Sequence, residues 1–150
     1  MIGKRLDLNE VVRTCELAHR AGLLVHANFM VGFPFETASQ REKTMKFAKE
    51  LDADSYSVSL VTPLPGTRLW EIVRENDLFM EGFNLNRVLY VYVSIKPCDI
   101  SPEKLYEQVC DFNRELNEAG QRRRPETARK YSLFKGKKAC GDRKYHFLEE

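Results

Sequence analysis

The chain has 150 residues, of which 43% are hydrophobic and 31% are charged. This composition is typical of one globular domain, and no apolar run approaches the roughly 20 residues that a membrane-spanning helix needs. The N-terminal sequence lacks the long apolar stretch of a secretion signal. We therefore expect a cytoplasmic protein with no membrane partner.

Predicted helices and strands alternate through the first half of the chain, as capping residues and apolar periodicity indicate. In chain order they are a helix capped by Asp7 and stopped by Gly22, a strand over residues 23–31, a helix from Thr37 to near Asp52, a strand over residues 55–62, and a helix from Thr67 to near Asn76. This β-loop-α order predicts an α/β fold with parallel strands.

The second half of the chain predicts an added strand and helix. Residues 77–87 are expected to form a loop, and the β-branched and aromatic residues 89–95 a strand that ends before Pro97. Ser101 and Pro102 then start a helix that Gly120 is expected to stop. We place the domain boundaries at residues 1–83, 84–120 and 121–150.

Charge is distributed unevenly along the chain. Residues 1–120 carry 14 basic and 18 acidic side chains, a net charge of −4, whereas residues 121–150 carry 10 and 4, a net charge of +6. The latter segment contains the run Arg122-Arg123-Arg124 and has no apolar periodicity, which predicts a basic flexible tail. A basic tail with aromatic residues could bind RNA, but solvated charge is the more common explanation.

Alternation separates a polar from an apolar face in the first two strands. The apolar face is expected to pack against helices and comprises Val25, Ala27, Phe29, Val31, Tyr56, Val58 and Leu60. The opposite face comprises His26, Asn28, Met30, Ser55, Ser57 and Ser59. A face with three serines is unusual in a packed core, although His26 on its own is more often a structural histidine than a ligand.

The loops that follow these two strands predict a shared binding site, because ligands commonly bind where parallel strands end. In the first loop, Gly32 allows a ligand to approach the backbone, Met30 offers a soft apolar surface and Pro34 fixes the turn. Glu36 has two interpretations: a site residue, or a carboxylate that favours the positive end of the helix capped by Thr37.

These loops resemble the radical S-adenosylmethionine superfamily, in particular its branch of methylthiotransferases and cobalamin-dependent methyltransferases. The resemblance covers residues 1–76. Residues 29–37 are similar to the branch's phrase F-M-x-G-x-P-x-E-T, and residues 62–67 to T-P-x-P-G-T. In the superfamily pattern G-x-I-x-G-x-x-E, Gly32 and Glu36 match, Met30 is a conservative replacement and Asn28 departs from the pattern.

The resemblance implies a TIM-like, partial parallel (β/α) barrel that binds S-adenosylmethionine and a 4Fe-4S cluster. The full enzyme would cleave S-adenosylmethionine reductively to a 5′-deoxyadenosyl radical. The residues implied to border the adenosine of the cofactor are Asn28, Met30, Gly32, Glu36, Thr62 and Pro63. The serines of the second strand would then line the substrate lumen.

The family's C-x-x-x-C-x-x-C motif, which holds the cluster, does not occur in this sequence. The four cysteines, at positions 15, 98, 110 and 140, form no CxxC pair and are expected to be reduced structural thiols. We therefore expect the C-terminal half of such an enzyme, inactive by itself and without a metal site of its own. Its expected partners are the N-terminal half of the barrel and a second copy, because a half barrel exposes strand edges. The alternative is a non-catalytic binding module, with RNA as one ligand.

Overall fold

The computed structural model describes residues 6–85 and 92–125. Within them the chain forms α1 (Leu8–Arg20), β1 (His26–Val31), α2 (Ala38–Glu50), β2 (Ser55–Leu60), α3 (Arg68–Glu75) and α4 (Pro102–Arg123). The fold is mixed α/β, and β1 and β2 form a parallel two-stranded sheet. The larger TIM-like barrel stays a prediction. Among the described helices, none is long and apolar enough to cross a bilayer.

The starts of all the helices described follow the predicted capping residues. Their N-caps are Asp7, Thr37, Thr67 and Ser101, and each side chain accepts a hydrogen bond from a backbone N–H in the first turn. Thr37 and Gln40 form the reciprocal capping box that the sequence indicates. Short-range polar contacts therefore define where these helices begin.

Strand β1 begins at His26, three residues later than predicted. The parallel register pairs His26 with Ser55 and Val31 with Leu60, so residues 23 and 24 lie beyond the start of β2 and have no partner there. Both leucines at these positions are exposed. Their apolar character predicts burial in a strand, but the length of the neighbouring strand limits the pairing.

The apolar sheet face packs against α2 and α4, as its alternation predicts. The core of buried residues comprises Val31, Met45, Ala48, Ala53, Tyr56, Val58, Leu60, Leu105, Val109 and Leu116. A second, smaller core of Val61, Val73 and Ile95 lies under α3, and Phe79 pairs with Ile95 in an isolated antiparallel bridge. The helices therefore cover one side of the sheet and leave the polar face on the other.

Helix α4 closes the outer edge of β2 with two asparagine side chains. Asn113 accepts a hydrogen bond from the N–H of Val58 at 2.8 Å and donates to the carbonyl of the same residue at 2.7 Å. Asn117 makes the equivalent pair of bonds to Tyr56, at 3.0 and 2.9 Å. Two amides one helical turn apart thus satisfy the backbone groups that another strand would otherwise pair.

The sequence predicts that helix α4 stops at Gly120, but the helix continues to Arg123. Gly120 is buried, and a Cβ atom at this position would lie 3.1 Å from the carbonyl oxygen of Asp54 and 3.3 Å from the ring of Tyr56. The glycine therefore permits close packing of the helix on the sheet. Beyond it, Arg123 donates to the carbonyl oxygens of Lys49 and Leu51 and holds the last turn in place.

A buried carboxylate joins four elements at the end of the sheet where the strands begin. The side chain of Asp54 is fully enclosed and accepts hydrogen bonds from the Val25 amide at 2.7 Å, His19 at 3.0 Å and Arg124 at 3.2 Å. Burial alone would raise the pKa of Asp54, but these hydrogen bonds outweigh it and lower the pKa. Arg124, predicted as part of a solvated tail, also pairs with Asp52.

Several predictions fall wholly or partly outside the described residues. The tail beyond residue 125 is one of them, and the strand over residues 89–95 is another, since only residues 92–95 of it are described. In that described part the strand prediction is wrong, because only Ile95 pairs, in the isolated bridge to Phe79. Cys15 and Cys98 are free, but Cys110 is disulfide-bonded, so the prediction of reduced thiols is wrong for Cys110. The spacing of cysteines along a chain does not reveal which thiols meet in space.

Candidate functional site

The parallel pairing brings the two predicted loops to the same end of the sheet. The carbonyl oxygen of Val31, the last residue of β1, accepts a hydrogen bond from the N–H of Val61 at 2.9 Å. The chain then enters one loop at Gly32 and the other at Thr62. The two motifs of the sequence analysis are therefore adjacent in space.

The loop between β1 and α2 is closed by Glu36 folding back on Gly32. The Gly32 amide donates to Oε2 of Glu36 at 2.6 Å, and the Glu36 amide donates to the Phe33 carbonyl oxygen at 3.0 Å. Gly32 has a φ of 83° and Phe35 a φ of 62°. The left-handed conformation is accessible to glycine but costs a non-glycine residue about 1 kcal/mol or more. The ring of Phe35 is nevertheless exposed at the tip of the loop.

The environment of Glu36 disfavours its charge. Burial is the main cause and raises the pKa of Glu36, while the Gly32 hydrogen bond and the nearby Arg41 charge offset only part of this effect. The carboxylate thus braces the loop through the Gly32 amide. The sequence offered two interpretations of Glu36, a site residue or a charge that favours the start of α2. The second interpretation alone does not explain the hydrogen bond between the Gly32 amide and the Glu36 carboxylate.

Arg41 anchors the same loop from inside α2. Its side chain is 3% exposed, and Nη1 donates to the Glu36 carbonyl oxygen at 3.1 Å while Nη2 pairs with Asp99 at 2.7 Å. The other oxygen of Asp99 accepts a hydrogen bond from the Ala38 amide at the start of α2. The hydrogen bond from Arg41 is the main cause that lowers the pKa of Asp99.

The segment around residue 98 is tied to the loop by this contact and by a second one. The thiol of Cys98 donates to the Glu36 carbonyl oxygen at 3.0 Å. Sequence reasoning missed Arg41, Cys98 and Asp99 as supports of the site, because the last two lie about sixty residues beyond the loop. Arg41 lies within the predicted helix from Thr37 to near Asp52, and its neighbours in the sequence give no sign that its side chain is buried.

The loop after β2 contributes a buried hydroxyl. Oγ1 of Thr62 has no hydrogen-bond partner among the described residues, although a buried hydroxyl normally has one. The next residue, Pro63, is fully buried. Thr67 then donates to the Leu64 carbonyl oxygen at 2.6 Å and caps α3. The loop is therefore well fixed, with one polar atom that lacks a protein partner in this part of the chain.

The polar face of the sheet is laid out as the alternation predicts. The register places His26 beside Ser55, Asn28 beside Ser57, and Met30 beside Ser59. The three β1 residues are exposed and the three serines are half-buried. His26 Nδ1 and Ser55 Oγ lie 2.6 Å apart, in a hydrogen bond. The amide of Asn28 and the hydroxyls of the three serines therefore make up most of the polar groups on this face.

The six predicted site residues divide between two places. Gly32, Glu36, Thr62 and Pro63 lie in the paired loops, whereas Asn28 and Met30 lie on the adjoining polar face. Their contacts to a cofactor stay a prediction. Within residues 6–85 and 92–125, no group of three or more His, Cys, Asp or Glu side chains is placed to hold a metal ion.

No protein-family profile matches the chain. Curated relatives do match parts of it. An uncharacterized methyltransferase of Pyrococcus horikoshii is 40% identical over 79 residues, which are 53% of this chain and 17% of the relative. The anaerobic magnesium-protoporphyrin IX monomethyl ester cyclase of Rubrivivax gelatinosus is 26% identical over 109 residues, 73% of this chain and 19% of the relative.

A third relative is the tRNA-2-methylthio-N(6)-dimethylallyladenosine synthase of Aeromonas hydrophila, 31% identical over 74 residues, which are 49% of this chain and 16% of the relative. The chain thus spans less than a fifth of the length of these three relatives. At this low identity, the chain is a partial match to the radical S-adenosylmethionine superfamily.

Proposed function

We propose that the chain is a segment of a radical S-adenosylmethionine iron–sulfur oxidoreductase, in the branch of methylthiotransferases and cobalamin-dependent methyltransferases. Its role there is to supply the adenosine-side wall of the cofactor site and part of the substrate lumen. The observation that carries this proposal is the adjacency of the Gly32–Glu36 loop and the Thr62–Pro63 loop at one end of a parallel strand pair.

The described residues fit the organic cofactor but not the cluster. Thr62 offers a buried hydroxyl without a protein partner in the described segments, a suitable hydrogen-bonding group for a base or sugar. Met30, whose side chain is exposed, would form an apolar wall. Gly32 supplies the left-handed backbone conformation of the loop, and a Cβ atom there would lie 3.4 Å from the core side chains of Leu60 and Leu105. In contrast, no metal-ligand group occurs among residues 6–85 and 92–125. The cluster, which supplies the electron that cleaves the cofactor, would therefore be held by another part of the enzyme.

Glu36 has a positioning role in this proposal. Its carboxylate occupies the Gly32 amide at 2.6 Å, so this amide is not available to a ligand. Arg41 and Cys98 hold the carbonyl oxygen of the same residue. The chain therefore prepares the shape of the loop, and the ligand would contact its outer surface together with Asn28 and the serines of β2.

An NMR titration of the full chain tests this placement. We expect millimolar 5′-deoxyadenosine to shift amide signals of residues 30–36 and 62–67, with weaker binding in Thr62→Val, which keeps the shape of the side chain but removes the hydroxyl. Thr14→Val is the matched control, because Thr14 lies on α1 and bonds to the carbonyl of Glu10. Shifts confined to other regions, or equal binding by both variants, would contradict the proposed wall.

A separate measurement addresses catalysis. After anaerobic reconstitution with iron and sulfide, we expect the full chain to show no 4Fe-4S absorption and to form no 5′-deoxyadenosine from S-adenosylmethionine under reducing conditions. A brown cluster spectrum would show that the chain holds its own cluster.

A further inference from the structure

The tip of the loop between β1 and α2 is a turn over residues 33–36. The Glu36 amide closes the turn by donating to the Phe33 carbonyl oxygen at 3.0 Å, and Pro34 and Phe35 are its central residues. The φ angle of Phe35 is 62°. A turn with proline at the second position and a positive φ at the third is of type II, which favours glycine at the third position. Phenylalanine is unfavourable there, because its Cβ atom crowds the backbone.

The ring of Phe35 does not compensate for this cost by packing. It is 54% exposed and belongs to neither of the two hydrophobic cores of the described residues. A turn with an unfavourable central residue relaxes to another shape unless contacts from elsewhere hold it. The contacts that hold this turn therefore have to be found on the residues beside Phe35.

A clamp of three residues from outside the turn fixes Glu36. The Nη1 atom of Arg41 and the thiol of Cys98 both donate to the Glu36 carbonyl oxygen, at 3.1 and 3.0 Å. Asp99, the third residue of the clamp, accepts from Nη2 of Arg41 at 2.7 Å and, with its other oxygen, from the Ala38 amide. Because the Arg41 side chain is only 3% exposed, water has little access to replace Asp99 as its partner. Asp99 therefore sets the direction of the guanidinium group that holds the turn.

We propose that Asp99 is a positioning residue of the cofactor site, which acts through Arg41 and Ala38 to keep residues 32–36 in the shape that binds the ligand. The Asp99 carboxylate touches no ligand in this proposal. It lies two residues before Ser101, the cap of α4, so the shape of the loop depends on how the chain enters that helix. The inference rests on the proposed function for the ligand and on the described contacts for the clamp.

An NMR titration of the full chain with 5′-deoxyadenosine tests the role of Asp99. Asp99→Asn keeps the size of the side chain but leaves one oxygen for two donors, so only part of the molecules should keep the binding shape. We expect the dissociation constant to rise about fivefold or more. Glu115→Gln is the matched control: Glu115 pairs with Lys49 near the opposite end of α2, at 2.8 Å, and its loss should leave binding unchanged.

The Phe35→Gly variant separates positioning from a general loss of stability. Glycine adopts the left-handed conformation without strain, so the turn should no longer need the clamp. In the Phe35→Gly background, Asp99→Asn should therefore change the dissociation constant less than twofold. An equal loss of affinity in both backgrounds would overturn the proposal, because a merely structural role of Asp99 does not depend on residue 35.

Hydrogen exchange of the Gly32 amide measures the loop without any ligand, since this amide donates to Glu36. We expect faster exchange in Asp99→Asn than in the wild type and Glu115→Gln, and equal exchange in all three would overturn the proposal. If the wild type binds 5′-deoxyadenosine and Thr62→Val binds it more weakly, but Asp99→Asn binds normally, only the positioning role is overturned. A wild-type chain that does not bind the nucleoside would overturn the proposed function and this inference together.

Discussion

Replacing Asn113 with alanine removes a side chain that makes three hydrogen bonds. It accepts from the Val58 amide at 2.8 Å and donates to the carbonyl oxygens of Val58 at 2.7 Å and Val109 at 2.9 Å. Val58 is 4% exposed and belongs to the main core. Water therefore has little access to the two backbone groups that the variant leaves unpaired.

The expected cost follows from these two groups. A buried donor or acceptor that loses its partner costs about 1–3 kcal/mol, and partial hydration of the site in the variant reduces the total. We expect the free energy of unfolding to fall by about 2–4 kcal/mol. This is a large share of the roughly 5–15 kcal/mol by which domains are usually stable.

Urea unfolding of the full chain, followed by circular dichroism, measures this difference. Asn113→Asp keeps the acceptor for the Val58 amide but loses both donors, so it should also be destabilising. Gln121→Ala, at an exposed position on the same helix, should change stability by less than about 0.5 kcal/mol. If Asn113→Ala matched the Gln121 control, the reasoning that this side chain closes the edge of β2 would be refuted.

Two carboxylates should give opposite pH trends in urea unfolding. Because the pKa of Glu36 is raised in the folded state, the contribution of Glu36 to stability is most favourable at low pH and is lost as the pH rises through the folded-state pKa. The Glu36→Gln variant should therefore gain stability relative to the wild type between pH 4 and pH 8. A loss of stability relative to the wild type over this range would contradict the reasoning. The pKa of Asp54 is lowered in the folded state, so its contribution to stability is present at neutral pH and is lost as the pH falls. The Asp54→Asn variant should therefore be about 3–5 kcal/mol less stable than the wild type at pH 7. This difference in the free energy of unfolding should narrow as acid protonates the wild-type carboxylate. Asp77→Asn, at an exposed ion pair with Lys96, is the control and should change little at any pH.

Local signals in the sequence predicted the helix starts and the sheet faces. A capping residue such as Thr37 and the first turn that it bonds lie within four residues, so the sequence contains both partners side by side. Alternation in β2 likewise depends only on the two-residue period of a strand, and it correctly placed Ser57 and Val58 on different faces of the sheet. These features need no knowledge of the rest of the fold.

Features that depend on distant partners were not predicted. Arg41 and Asp99 are 58 positions apart and meet only because the chain returns to the start of α2. The spacing of Asn113 and Asn117 is equally typical of an ordinary polar helix face. Gly120 looked like a helix stop, because a glycine that ends a helix and one that allows close packing are the same residue in a sequence.

The alternation of the two strands also has a consequence for how such a protein can diversify. Side chains on the polar face point away from the core, so mutations at Ser55, Ser57 or Ser59 can alter chemical recognition while the packing of Tyr56 and Val58 is kept. Selection for a new ligand and selection for stability thus act on alternate positions of the same six residues. A short parallel sheet built in this way can serve many chemistries without a new scaffold for each.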